Sequence, residues 1–519
     1  MIVEILIFII TALIGYFIYI HKRVQSNFRE RGLKFNPGYP IFGNVFGSSF
    51  QTKHLLDDID AIYREFPDEK YVGYIEGTSP VILIRDPEII KYTTVKDFDH
   101  FLNHKQFITE EVDPLFGGSL LMMRDEKWRN MRTILSPAFT GSKMRHMLPF
   151  MTEISNNIVE YLNDHISEDI NVKDVVRRYA NDVLASTAFG YQVNSVKDKD
   201  NEFYRTGQEL FVKAFEQKFK LMLNFYFPSL AKLLGLTVFD KKFINFFKNV
   251  IAVTMEQREK NNFERPDMIQ LLMQASKGML KDDDKKDDAA EAETTSKQGP
   301  VRQWTDLDFA CQLFTFYFAG FDTSSTALTM CIHELALNPK IQQRLYEEVK
   351  AYNDSKGSLV YDSLSDLKYL ECVINETLRR WASAIIMDRV CTKPYELPPP
   401  REGGKPTKLV PGDVIYNVVN PIHLDPKHYP DPLVFDPDRF SDERKHEIKP
   451  FTYMPFGVGP RSCLGSRFAL LELKVLLYQV ILNFKILKCK KTTDPIVIIP
   501  HQFSLKAKGG TWVKLEKRS

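Results

Sequence analysis

The clearest hydrophobic pattern in the chain is an almost unbroken apolar run near its start. Every residue from Ile5 to Ile20 is apolar except Thr11 and Gly15. Ile2 and Val3 extend this run past Glu4. About 19 residues of helix reach roughly 28 Å, close to the thickness of the hydrocarbon layer of a bilayer. The pattern therefore predicts a membrane-spanning helix.

The apolar run is followed by basic residues: His21, Lys22, Arg23, Arg29, Arg31 and Lys34. Positive charge on this side predicts that the rest of the protein lies in the cytosol. A cleaved signal peptide is the alternative, but it would carry positive charge before the apolar core and a small-residue cleavage site after it. We expect an uncleaved anchor over residues 1–22, a basic, proline-bearing hinge over 23–45, and a catalytic domain over 46–519.

Beyond the hinge, helical periodicity dominates from about 125 to 395. Strand-like runs are few and short, at 71–73, 81–84, 413–418 and 496–499. This pattern predicts a mainly α (α+β) fold with small β-sheets. The charged, low-complexity stretch from Lys281 to Gln298 predicts a solvated, mobile loop between helices, with an acidic interaction segment as the alternative.

The longest helical pattern covers residues 305–337, which would span about 50 Å. Thr305 and Asp308 have the spacing of a capping box, and Pro339 ends the pattern. Apolar residues occur on nearly every side, which predicts a helix in the core.

The middle of this helix contains three locally unfavourable residues, Gly320, Asp322 and Thr323. Glycine costs about 1 kcal/mol relative to alanine in a helix. A buried aspartate is expensive, and threonine tends to bond to the preceding turn. The cluster predicts a functional site rather than packing, and a simple kink is the alternative.

The charge balance excludes one function class. The 69 basic and 67 acidic residues give a net charge of +2, without the basic excess of nucleic-acid-binding proteins. The six cysteines form no CxxC pair, which predicts a reducing compartment with neither structural zinc nor a disulfide framework.

One cysteine, Cys463, lies in a loop suited to metal ligation. The loop runs from Phe456 to Gly465 and contains three glycines, which allow close approach to a flat ligand. Arg461 adds a fixed positive charge, which favours the thiolate. Such a thiolate can ligate haem iron, and a buried cysteine in a glycine-rich turn is the alternative.

This loop resembles the cysteine loop of cytochromes P450, and further motifs of that family follow its order along essentially the whole chain. The resemblance implies a P450 fold holding haem b (iron protoporphyrin IX), with Cys463 as the axial ligand and Phe456, Gly457 and Gly465 beside the cofactor. It also implies that the middle of the long helix is the oxygen-activating groove. There Ala319 and Gly320 would contact the cofactor, and Asp322 and Thr323 would form an acid–alcohol pair that delivers protons.

The resemblance further implies four residues that bind the haem propionates: Trp128, Arg132, Arg389 and Arg461. Guanidinium groups suit carboxylates in bidentate geometry, and an indole N–H adds a donor. His104 is a fifth candidate.

Glu376 and Arg379 receive two different predictions. Their positions, away from the apolar stripe of their helix, predict an exposed pair worth about 0.2–0.5 kcal/mol. The resemblance implies instead a buried network with Arg439 behind the haem. The family's usual prolines after this motif are absent from residues 381–386, which puts the shape of the substrate pocket in doubt.

The segments 318–323 and 135–140 resemble the clan that holds vertebrate family 3 and insect families 6 and 9, and 387–391 favours insect family 9. The resemblance implies a single-pass monooxygenase of the endoplasmic reticulum membrane. Its electrons would come from NADPH through cytochrome P450 reductase, with cytochrome b5 as an optional further partner.

By analogy with family 9, we expect detoxification of lipophilic plant toxins or insecticides. A biosynthetic P450 acting on an endogenous hormone, sterol or fatty acid is the alternative. A haem-thiolate isomerase or dehydratase, and a haem sensor without turnover, are further alternatives, but the intact Asp322–Thr323 pair and the anchor disfavour them.

Five segments are expected to line a large apolar pocket, at about 101–122, 207–227, 310–323, 382–387 and 500–505. The expected lining side chains are Phe101, Phe107, Phe116, Phe211, Phe215, Phe314, Phe318, Ile385, Ile386 and Phe503. No clear charged anchor stands among these side chains, apart from the acids Glu110, Glu111 and Asp113 in the first segment. The apolar residues between Leu221 and Leu236 predict a second membrane contact, with core packing as an equal alternative.

Overall fold

A computed structural model describes residues 1–211, 215–277, 304–500 and 505–518. The predicted loop Lys281–Gln298, Phe503 and the side chain of Phe215 lie outside this description.

The described chain is built mainly of helices, as predicted. In chain order they are α1 Ile2–Glu30, α2 Phe46–Ser49, α3 Leu55–Glu65, α4 Pro87–Lys91, α5 Pro114–Gly117, α6 Asp125–Leu135, α7 Gly141–Asp164, α8 Val172–Phe189, α9 Glu202–Phe211, α10 Phe215–Tyr226, α11 Pro228–Leu233, α12 Lys241–Asn261, α13 Met268–Ser276, α14 Asp306–Leu337, α15 Pro339–Lys356, α16 Lys368–Arg380, α17 Asn420–His423 and α18 Ser466–Asn483.

The strands are short and form three small sheets. They are β1 Tyr71–Glu76, β2 Ser79–Ile84, β3 Asp169–Asn171, β4 Ile386–Val390, β5 Tyr395–Leu397, β6 Thr407–Leu409, β7 Val414–Val418, β8 Phe484–Leu487 and β9 Trp512–Lys517. The largest sheet has the order β1-β2-β7-β4, in which β2 and β7 are parallel. The other sheets are β3-β9-β8 and β5-β6. The expected strand at 496–499 is only an isolated bridge between Ile498 and Ala507.

Helix α14 is the centre of the larger hydrophobic core. Thr305 caps it, and the capping box with Asp308 is formed, as predicted. The helix packs against α8, α12 and α18, which explains why apolar residues occur on nearly all its sides. A Cβ at Gly320 would lie 3.0 Å from the side chain of Leu184, so this glycine lets α8 approach closely.

Helix α1 is the one helix in the described part of the chain that is long and apolar enough to cross a membrane. It continues past residue 22 to Glu30, where Val24 and Phe28 become buried. The ring of Phe28 packs on Gly73 of β1, and Arg31 forms an ion pair of 2.9 Å with Asp413. The end of the apolar helix is thus attached to the sheet.

The apolar residues between α10 and α12 divide between core and surface. Tyr226 is buried, whereas Leu233 and Leu234 are 82% and 56% exposed. The ring of Phe227 lies 6.2 Å from that of Phe17 in α1. The segment that carries the exposed leucines therefore begins beside the apolar helix.

Candidate active site

The conformation of the loop before α18 depends on its glycines. Gly457 and Gly459 have φ angles of 72° and 76°, which other residues rarely adopt. A Cβ at Gly459 would lie 1.9 Å from the carbonyl oxygen of Thr94, so no other residue fits there. The Cys463 N–H donates to the Phe456 carbonyl at 2.8 Å and closes the loop.

Cys463 has an accessible side chain although the protein surrounds it. Its surface is accessible, yet burial raises the pKa of its thiol. Both observations hold if Cys463 faces a space enclosed by the protein. The Gly465 N–H and the charge of Arg132 act in the opposite direction and lower the pKa of this thiol.

The middle of α14 also has accessible residues in a buried part of the protein. Ala319 and Thr323, one turn apart, are exposed although buried residues precede and follow them. They therefore line an internal space. The Thr323 hydroxyl donates to the Ala319 carbonyl at 2.5 Å, and α14 remains a continuous helix there.

One aromatic ring lies between the cysteine loop and α14. Phe139 lies 5.4 Å from the ring of Phe316, one turn before Ala319. A Cβ at Gly465 would contact the same Phe139 ring at 3.7 Å. The cysteine loop and the predicted groove are thus neighbours across Phe139.

Asp322 is turned away from Thr323, toward α8. Its carboxylate is buried, 3.1 Å from Arg177 and 3.7 Å from Lys173. Burial lowers the pKa of Lys173 to about 8. Sequence reasoning missed both partners, although two basic residues four apart on a helix with a buried face are a usable signal.

The four predicted propionate residues converge beside the loop. Arg461 stacks on Trp128 at 3.9 Å, and Arg132 donates to the Ser462 carbonyl at 2.8 Å. Burial and the charges of Arg389 and Arg132 lower the pKa of Arg461 to about 8. Burial also lowers the pKa of Arg389 to about 10, and its Nε has no hydrogen-bond partner.

The acids nearby do not compensate this charge. Asp388 raises the pKa of Arg461, but less than burial lowers it. Asp388 also lies 2.9 Å from His104, which therefore has a partner of its own. The cluster holds excess positive charge and suits an anion.

The network behind the loop is buried, as the resemblance implied, and the exposed pair expected from the helical pattern is wrong. Glu376 binds Arg379 at 2.7 Å with both side chains fully buried, and Arg439 lies 3.6 Å from Glu376. Nε2 of His423 accepts the Met454 N–H at 2.8 Å, and its Nδ1 lies 3.1 Å from the Arg379 carbonyl. This histidine links α16 to the approach to the cysteine loop.

A further buried acid, Glu472 of α18, was not expected from the sequence. Neither oxygen of its carboxyl group has a hydrogen-bond partner, and burial raises its pKa to about 8. Ser324, next to Thr323, lowers the pKa of Glu472, but by less than burial raises it. Its signal in the sequence is a single acid within an apolar helical run.

A cluster of aromatic rings packs around Phe318 of α14, and we call it the aromatic wall. Phe318 lies 5.0 Å from Phe211, 5.6 Å from Phe116 and 5.7 Å from Phe239. Sequence reasoning missed Phe239, which lies outside the five expected segments. Phe101 packs instead on Tyr395, near the β5-β6 sheet.

The three acids near this wall all have protein partners. Glu110 binds Lys127 and Glu111 binds Lys232, each at 2.6 Å. Asp113 accepts backbone N–H groups.

Comparisons with known proteins agree with this architecture. The family model for cytochrome P450 matches residues 34–513. The chain is 40% identical over 505 residues to "Probable cytochrome P450 9f2" of Drosophila melanogaster, covering 95% of each chain. It is 38% identical over 512 residues to "Cytochrome P450 9e2" of Blattella germanica, covering 95% of this chain and 94% of the relative. It is 31% identical over 504 residues to "Cytochrome P450 6j1" of Blattella germanica, covering 96% and 95%.

The chain belongs to the cytochrome P450 family, whose members are haem-binding monooxygenases. Within it, the similarity extends to insect families 9 and 6, which confirms the expected clan.

The residues present fit haem. An accessible cysteine inside the protein would supply the thiolate ligand, and the excess positive charge near Arg389 and Arg461 suits two propionates.

Proposed function

We propose that this protein is a membrane-anchored monooxygenase that clears lipophilic foreign compounds, using electrons from NADPH supplied by cytochrome P450 reductase, with cytochrome b5 as an optional partner. The observation that carries the proposal is an enclosed space reached by Cys463, Ala319 and Thr323, beside an aromatic wall whose nearby acids are all paired.

In this proposal Cys463 is the axial ligand, and Trp128, Arg132, Arg389 and Arg461 hold the propionates. Phe456, Gly457, Gly465, Ala319 and Gly320 bound the cofactor. Haem, when bound, supplies the iron at which O2 is activated and one oxygen atom is transferred to substrate. The protein supplies ligation, orientation and protons.

In the proposed proton path, protons pass from Asp322 to Thr323. Arg177 and Lys173 both contact the same carboxylate oxygen of Asp322, so the carboxylate would have to rotate away from them to move a proton toward Thr323. The Thr323 hydroxyl, bonded to the Ala319 carbonyl, faces the enclosed space and can pass on a proton there.

The aromatic wall supports a broad substrate specificity. Apolar walls with few free polar groups bind by area, and one methylene changes discrimination by only about 1–3 kcal/mol. We therefore propose acceptance of many neutral lipophilic molecules, including plant toxins and synthetic insecticides.

Helix α1 supports a location at a membrane. We propose a single-pass anchor in the endoplasmic reticulum membrane, with residues 1–22 as anchor, 23–45 as connection and 46–519 as the cytosolic catalytic domain. Protease protection of microsomes tests the orientation: the catalytic domain should be digested without detergent.

The reaction is tested with full-length protein reconstituted with reductase and NADPH. The reduced protein should give the red-shifted Soret band with CO and oxidise several unrelated compounds. Turnover without O2 or reductase would indicate an isomerase, and absence of turnover a sensor. One compound exceeding all others by several orders of magnitude in kcat/KM would indicate a biosynthetic enzyme.

A further inference from the structure

The buried carboxylate of Asp113 joins two distant segments. Its Oδ1 accepts the Phe116 N–H at 3.1 Å, at the start of α5. Its Oδ2 accepts the Val238 and Phe239 N–H groups at 3.2 and 2.9 Å, just before α12. Asp113 is only 1% exposed, so one carboxylate fixes both segments away from solvent.

The segments that Asp113 joins carry two rings of the aromatic wall. Phe116 and Phe239 lie 5.8 Å apart, and both pack against Phe318 of α14. Phe318 is only partly buried and precedes Ala319, which lines the enclosed space. The hydrogen bonds of Asp113 therefore connect the two backbone segments that carry these rings.

A helix cap alone does not require this carboxylate. Serine caps helices as well as aspartate does. An aspartate at this depth has a desolvation cost, since burial raises the pKa of Asp113 while the backbone N–H groups lower it. What serine cannot provide is the second oxygen, which reaches Val238 and Phe239.

We propose that Asp113 is a positioning residue of the substrate pocket: by holding Phe116 and Phe239 against Phe318, it sets how large a molecule the pocket accepts. The proposal rests on the proposed monooxygenase function, since it treats this wall as part of the substrate pocket.

The chain provides a matched control for Asp113. Glu111 and Lys232 connect neighbouring parts of the same two regions at 2.6 Å, but they are 74% and 58% exposed. Such surface pairs contribute little. Glu111→Gln thus removes a nearby negative charge without releasing the backbone of the wall.

The test measures spectral dissociation constants of the haem-loaded, full-length protein for two azoles, 4-phenylimidazole and the bulky clotrimazole. In Asp113→Ser, Phe116 and Phe239 should move away from the pocket and leave more room for the bulky azole. The ratio of the dissociation constant for clotrimazole to that for 4-phenylimidazole should then fall about fivefold or more. In Glu111→Gln the ratio should stay within about twofold of wild type. Phe239→Leu, which removes one ring directly, should lower the ratio as Asp113→Ser does.

An unchanged ratio in Asp113→Ser, with a normal CO spectrum, would overturn the proposal and leave Asp113 as a helix cap. If Asp113→Ser does not bind haem, Phe239→Leu decides, because an unchanged ratio there also overturns it. A wild-type protein that shows neither an azole shift nor the red-shifted CO band would instead overturn the proposed function.

Discussion

Replacing Glu376 by glutamine is expected to destabilise the protein strongly. Among the described residues, Glu376 is the one negative charge within bonding distance of the fully buried Arg379 guanidinium. Glu376 accepts from Arg379 at 2.7 and 2.8 Å and from the Asp436 N–H at 2.9 Å. Both charged side chains are fully buried. Breaking such a pair costs about 3–5 kcal/mol. This is a large part of the roughly 5–15 kcal/mol that stabilises a typical protein.

Urea unfolding of the haem-loaded protein, followed by tryptophan fluorescence, measures this cost. Glu371→Gln is the control, since Glu371 lies on the same helix, binds Lys474 at 2.8 Å and is 52% exposed. That variant should lose only about 0–1 kcal/mol. If both variants had the same urea midpoint, the reasoning from buried charge would be refuted.

Four further predictions concern the site and the anchor. Cys463→Ala should lose the red-shifted CO band and turnover, and a variant that kept them would exclude Cys463 as the ligand. Thr323→Ala should bind haem and substrate but form less product per NADPH, and an unchanged ratio would make Thr323 a helix residue only. Removal of residues 1–20 should leave a folded domain still partly bound to membranes through its exposed leucines, which full solubility in low-salt buffer would contradict. Burial raises the pKa of Glu472 from 4.5 to about 8, so the wild-type protein should lose stability as the pH rises through this range. Glu472→Gln should not show this loss, and parallel curves of urea midpoint against pH for the two proteins would contradict the prediction.

Local signals predicted the elements that depend on neighbouring residues. The capping pair Thr305–Asp308 and the terminating Pro339 placed α14 correctly, because caps and breakers act within one turn. The burial of Arg379 did not follow from its helix, since the groups that satisfy it come from elsewhere. They include the carbonyls of His423 and Pro432, 44 and 53 residues along the chain.

The same distinction applies to the site. The spacing of Asp322 and Thr323 identified an unusual stretch of helix, but not that the two side chains face different directions. Arg177 of α8 determines the direction of Asp322, and only the packing of α8 on α14 brings it there. Asp113 was noted as an acid near the pocket, but its hydrogen bonds to Val238 and Phe239 depend on a contact 125 residues away.

The attachment of α1 to the sheet affects how the enzyme would meet its substrates. With α1 in a bilayer, the contacts of Phe28 and Arg31 would restrict rotation of the catalytic domain relative to α1. The tilt of α1 would then set the orientation of the domain. Phe227, in contact with Phe17, would then place α11 and its exposed leucines at the lipid surface. Compounds dissolved in lipid would reach the protein by lateral diffusion. Their partition coefficient would therefore enter the apparent KM, and a substitution that tilts α1 would change that KM without altering the pocket.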